Sequence, residues 1–187
     1  MRVHWMLHEL GLSYETIKLD ISAGENRKPE YLAINPAGQV PAMVIDGLNL
    51  AESVAIVQFL ADKFKPELAG RTPEERAQSL QWGLWTMLNP QKAMLDLAMM
   101  VWRNAADEAK TKTAHETLEK ELPILEALLS TRAFVAGDPF TTGDLIACVS
   151  LTYASFSKFD LSTYSNITRW MGACTSRPAY IAATSQK

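Results

Sequence analysis

The stretch Asn35-Pro36-Ala37-Gly38-Gln39-Val40-Pro41-Ala42, followed further on by Asp46-Gly47 and Glu52-Ser53, decides how this chain reads. Asp46-Gly47 lies between two short apolar runs, 42–45 and 48–50, and is the favoured two-residue turn of a β-hairpin. A Val-Pro bond directly before such a strand is a candidate cis peptide, because a trans proline there would turn the chain away from the sheet. The cis form leaves the N–H and C=O of Val40 pointing outward, where an extended peptide can pair with them in strand-like fashion. Glu52-Ser53 supplies the complement. A helix N-terminus with a serine hydroxyl suits a carboxylate, and the neighbouring glutamate suits an ammonium group, so the pair fits an α-amino acid head. Both features within one small sheet domain make a site for a short peptide ending in an amino acid.

Outward from this stretch, Val3, Leu7 and Leu10 with Met6 form the stripe of an amphipathic helix over 2–10, stopped by Gly11. Residues 14–20 alternate with period two and read as a strand, and 22–28 is a polar connection. Pro29 can open a short helix through Ile34, ended by Asn35-Pro36. Helical spacing returns from Ser53 to about Phe64 through Val54, Ile56, Val57, Leu60 and Ala61. The order is helix, strand, helix, hairpin, helix. Composition then shifts at 65–70, which reads as a linker between a first domain, 1–65, and a second, 72–187.

Strand signals nearly vanish after that boundary. Thr72 with Glu75 is a capping box, Pro73 fits the first helical position, and a helix runs to Asn89, where Pro90 kinks it. Further helices are expected over 91–104 and 107–130, the second with Leu118, Leu122, Leu125 and Leu129 on one stripe. Thr141 and Asp144 form another cap, stapled by Phe140 and Leu145, before an apolar helix to about Phe156. Helices over 166–176 and after Pro178 close the chain.

With 187 residues, 48% apolar and 21% charged, and a net charge of −3, the composition is that of a soluble globular protein, with no basic surface for nucleic acid. No segment approaches the roughly 20 apolar residues of a membrane span. His4, His8 and Glu9 interrupt the first apolar run, so it does not read as a secretory signal. Cys148 and Cys174 form no Cys-x-x-Cys pair and read as reduced packing residues, which points to a cytoplasmic location.

Five ordered motifs resemble the cytosolic glutathione transferase family: 2–15, Pro29-Glu30-Tyr31-Leu32 with 35–41, Glu52-Ser53, 137–144, and Arg177-Pro178-Ala179-Tyr180. The resemblance spans nearly the whole chain. It implies an α/β, thioredoxin-like N-terminal domain followed by an all-α C-terminal domain, a homodimer, and glutathione as the bound peptide and co-substrate. On that basis Glu52 and Ser53 hold the γ-glutamyl head, Val40 pairs with the cysteinyl unit, Pro41 sets the turn, and Gln39 lies near the glycyl end. A small apolar electrophile is implied between the domains, with a detoxifying conjugation as the reaction. The mechanism implied lowers the thiol pKa with one hydrogen-bond donor, so that thiolate attacks near pH 7.

In the family a strand precedes the first helix, and the activating Ser, Tyr or Cys lies a few residues before the position of Arg2. This sequence starts at Met1 and contains neither, so no catalytic residue is assigned and the sequence reads as a shortened form of a longer protein. The implied strand would lie between 14–20 and 42–45 in the sheet. The alternative reading is a non-catalytic relative that uses the fold for protein contact, as in elongation factor gamma subunits.

Other residues have plainer readings. His4 and His8, four apart, lack a third ligand within their run and read as ordinary helix-face histidines, with no metal expected. Trp82, Trp85, Met87, Met94, Met99, Met100, Trp102, Tyr153 and Phe156 read as core or dimer surface before pocket lining. Asp144 reads as a cap.

Overall fold

A computed structural model describes residues 1–157 and 159–185. Helix α1 (Arg2–Glu9) buries Trp5, Met6 and Leu7; of the expected stripe Met6 and Leu7 are buried, while Val3 and Leu10 are half-buried and Trp5 joins the core. It ends as expected at Gly11, whose φ of 62° lets Leu12 N–H reach Leu7 C=O and Gly11 N–H reach His8 C=O. A short 3-10 turn over Glu25–Arg27 leads into α2 (Pro29–Leu32). The hairpin follows, with β1 (Ala42–Ile45) antiparallel to β2 (Leu48–Ala51) across Asp46-Gly47, and then α3 (Ser53–Phe64).

The second part is helical: α4 (Pro73–Leu88), α5 (Pro90–Trp102), α6 (Glu108–Ser130), α7 (Thr142–Leu151), α8 (Tyr153–Ser157), α9 (Ser165–Thr175) and α10 (Pro178–Ser185). Thr72 caps α4 by accepting from Glu75 N–H, and Pro90 separates α4 from α5. Leu118, Leu122, Leu125 and Leu129 of α6 are all buried, and every residue of α7 is buried. One apolar core runs from Trp5 through Ile56 and Leu60 to Leu145, Trp170 and Ala183, so α1 and α3 share it with the helical domain. This is a thioredoxin-like N-terminal domain with a two-stranded sheet, joined to an all-α C-terminal domain.

Three expectations need correction. Residues 14–20 form no strand: among the described residues no strand lies beside them to supply a hydrogen-bond ladder, and Ile17 is 77% exposed. Alternation is a statement about faces, and it produces a strand only where a neighbour pairs with it. The helix expected to reach Phe156 ends at Leu151, with α8 as a separate short piece after Thr152. The helix from Pro29 stops at Leu32, ahead of Ile34. Between α3 and α4, residues 65–70 hold a 3-10 turn over Pro66–Leu68 and bury Leu68 and Ala69.

Candidate functional site

The hairpin register brings the two halves of the site together. Ala42 pairs with Ala51, so one step beyond that pair Pro41 and Glu52 stand at the same end of the ribbon. The Val40–Pro41 bond is cis. Val40 is 55% exposed, and among the described residues no group hydrogen-bonds its N–H or C=O. Glu52 has φ 65°, a left-handed value unusual for a residue with a side chain, and turns the chain from β2 directly into α3. Ser53 is the first residue of α3, so its hydroxyl lies beside first-turn N–H groups that have no partner within the helix. Gln39, Val40, Pro41 and Glu52 are exposed and Ser53 is half-buried.

The loop carrying Gln39 and Val40 is braced from behind. Gln39 C=O accepts from Tyr31 Oη at 2.6 Å and from Asn35 Nδ2 at 2.7 Å. Gly38 C=O accepts from the buried Asn26 Nδ2 at 2.6 Å, and Ala37 N–H donates to Asn35 Oδ1. Gly38 is required here: its φ is +64°, and a Cβ would stand 2.9 Å from Asn26 C=O. Carbonyls tied inward in this way leave the Val40 peptide as the outward-facing one. Sequence reasoning missed Asn26 and Tyr31, because hydrogen bonds from side chain to a distant carbonyl leave no periodic signal. Asn35 was legible only as a helix stop.

A second polar set lies where α1 meets the helical domain. Arg2 Nη2 donates to Gln91 Oε1 of α5 and, at 2.8 Å, to Ser150 Oγ of α7; Ser150 Oγ in turn donates to Gln91. Burial pulls the Arg2 guanidinium below its ordinary pKa. One turn beyond Ser150, Tyr153 begins an aromatic row: its ring lies 6.4 Å from Phe156, which meets Trp102 edge-on at 5.5 Å. Phe156 and Trp102 are half exposed. Met99 and Met100 line a cavity between α5 and α6. Met94 is core, while Trp82 and Trp85 pack on each other.

Comparison with known proteins bears on this geometry. The model for the glutathione S-transferase N-terminal domain matches residues 1–62, and that for its C-terminal domain matches residues 88–178. "Glutathione S-transferase F10" of Arabidopsis thaliana is 38% identical over 147 residues, which cover 74% of this chain and 68% of that protein. This chain belongs to the glutathione S-transferase family. A second glutathione S-transferase of Arabidopsis thaliana, F9, is 33% identical over 185 residues, 93% of this chain and 86% of that protein. The likeness extends to three dimensions. Glutathione S-transferase I from maize, solved with an atrazine–glutathione conjugate, superposes with a TM-score of 0.87 at 29% identity, covering 98% of this chain and 90% of the maize chain. The braced 35–41 loop and the ribbon end at Glu52-Ser53 both fall inside the matched glutathione S-transferase N-terminal domain. No helix of the described residues is long and apolar enough to cross a membrane.

Proposed function

We propose that this chain binds glutathione at the ribbon end and serves its conjugation to small apolar electrophiles. Glu52 takes the γ-glutamyl ammonium, Ser53 with the α3 N-terminus takes the γ-glutamyl carboxylate, and Val40 pairs its backbone with the cysteinyl unit. Gln39 lies toward the glycyl end and Pro41 holds the turn. The observation that supports this reading is the register Ala42 to Ala51, with the outward Val40 peptide and the Glu52-Ser53 pair at the same end of the ribbon. The aromatic row of Tyr153, Phe156 and Trp102 supports an apolar second substrate, because it starts one turn from the Arg2 contact at the junction of the domains. The maize relative, solved with an atrazine–glutathione conjugate, supports a glutathione conjugation. No residue of this chain is assigned as thiol activator. The reading includes a homodimer, a division into domains over 1–65 and 72–187, and a cytoplasmic location, which the unbridged buried Cys148 and Cys174 support.

Retention on immobilised glutathione, followed by a conjugation assay with an aryl halide, tests this. The wild-type chain is expected to bind, and Glu52→Gln and Ser53→Ala each to weaken binding roughly tenfold through loss of a charge-assisted hydrogen bond. Absence of binding by wild type overturns the reading, and binding without turnover overturns its conjugating half and points to a retired active site.

A further inference from the structure

Tyr14 stands just past the turn that ends α1, and its hydroxyl lies 3.1 Å from His4 Nδ1 and 3.3 Å from His8 Nε2. His4 and His8 are one turn apart on the same face of α1, so two imidazoles meet at one phenol oxygen. Their rings flank the tyrosine, with centroid separations of 5.6 and 5.9 Å.

We propose that His4, His8 and Tyr14 form a binding site for a divalent metal ion of the zinc type. A tetrahedral zinc at about 2.0–2.1 Å from nitrogen and oxygen donors holds those donors about 3.3 Å apart, and both imidazole-to-phenol separations come close to that edge. Two histidines four residues apart on a helix are a known chelating pair, but they need a third donor from elsewhere. No trio of His, Cys, Asp and Glu gathers for a metal among the described residues; here the third donor is a tyrosine, brought back by the Gly11 turn. All three side chains are partly exposed, which leaves room for water to complete the shell. The ion replaces the hydrogen bonds that now join the three groups, and any proton leaving the phenol passes to solvent. An ion held there would pin the 14–20 stretch to α1.

The test is calorimetric titration of the chelator-treated chain with zinc chloride, with magnesium chloride as the hard-cation control. Expected are one zinc ion per chain and no magnesium binding. His4→Ala and His8→Ala should each lose affinity by roughly tenfold or more, and Tyr14→Phe by several-fold, on the scale of ligand-shell mutations. Zinc should raise the melting temperature of wild type and not of the histidine variants, whose melts in chelator report their folding independently. If one histidine variant fails to fold, the other carries the comparison. Absence of saturable zinc binding overturns the proposal, as does affinity unchanged in a folded histidine variant.

Discussion

Asp144 is wholly buried, and four donors converge on its carboxylate: Val135 N–H at 2.8 Å, and Thr141 N–H, Thr141 Oγ1 and Trp170 Nε1 each at 2.9 Å. Burial pushes this carboxyl above its ordinary pKa, and the donors pull against that shift. The group thus joins the 134–137 turn, the start of α7 and the middle of α9 through one side chain. Alanine at this position strands buried donors at about 1–3 kcal/mol each. Asp144→Ala is expected to lower the unfolding free energy by about 3–5 kcal/mol in a urea titration, the range for breaking a buried charged network. The local half of this arrangement was legible in the sequence, because a threonine three residues before an aspartate is a capping signal. The bonds from Val135 and Trp170 were not, since contacts distant along the chain carry no spacing rule.

Two helix-level contacts follow the same logic. Where α4 crosses α7, Gly143 is so close to its neighbour that a Cβ would lie 2.3 Å from Ser79 C=O, whereas at Gly83 it would meet Ile146 and Gly143 no nearer than 3.3 Å. Gly143→Ala forces the helix backbones apart and is expected to cost about 1–3 kcal/mol, measured as a drop in the denaturation midpoint. Gly83→Ala, facing a side chain that can shift, should cost less. At the start of α9, Glu126 accepts from Asn166 N–H, Ile167 N–H, Asn166 Nδ2 and Ser165 Oγ. Burial acts to raise its carboxyl, but these donors outweigh it and hold the group below the ordinary glutamate value of 4.5. A lowered folded pKa contributes stability above about pH 4.5 that is lost as pH falls through the folded value. The stability gap between wild type and Glu126→Gln should therefore be widest near neutrality and narrow in acid, as equilibrium unfolding against pH will register. Helix boundaries such as Thr72 and Pro90 were readable from local chemistry, whereas alternation over 14–20 suggested a strand that does not form, because strand identity depends on a neighbour that local alternation does not contain.

At the scale of the molecule, Arg177 ties the N-terminal domain to the end of the chain. Its Nε and Nη2 donate to Glu9 Oε1 and Oε2 at 2.6 and 2.7 Å, and its guanidinium lies 3.9 Å over the Phe140 ring. Trp5 Nε1 donates to the same Glu9 Oε1, so the ion pair is anchored on the core side of α1. Lysine cannot reproduce this fork or the stacking. Arg177→Lys is expected to destabilise by about 1.5–3 kcal/mol, the worth of hydrogen bonds to a charged group. Differential scanning calorimetry should record the loss as a lower melting temperature. The sequence placed Arg177 at a family-like closing helix, but its partner at the opposite end of the chain could not be read from it. The candidate site was more legible, since Val40-Pro41, Asp46-Gly47 and Glu52-Ser53 each carry a local signal. What remained hidden was the set of side chains behind them, Asn26 and Tyr31. The ribbon can thus be regarded as a ruler. Its length and its two-residue bend set the gap between a backbone contact and a side-chain contact, so a slip of one residue between β1 and β2 would move one half of the site past the other and turn the strand side chains that pack on the core, Met43, Ile45 or Leu50, away from it. The count of residues across the bend is what holds the two contacts in step.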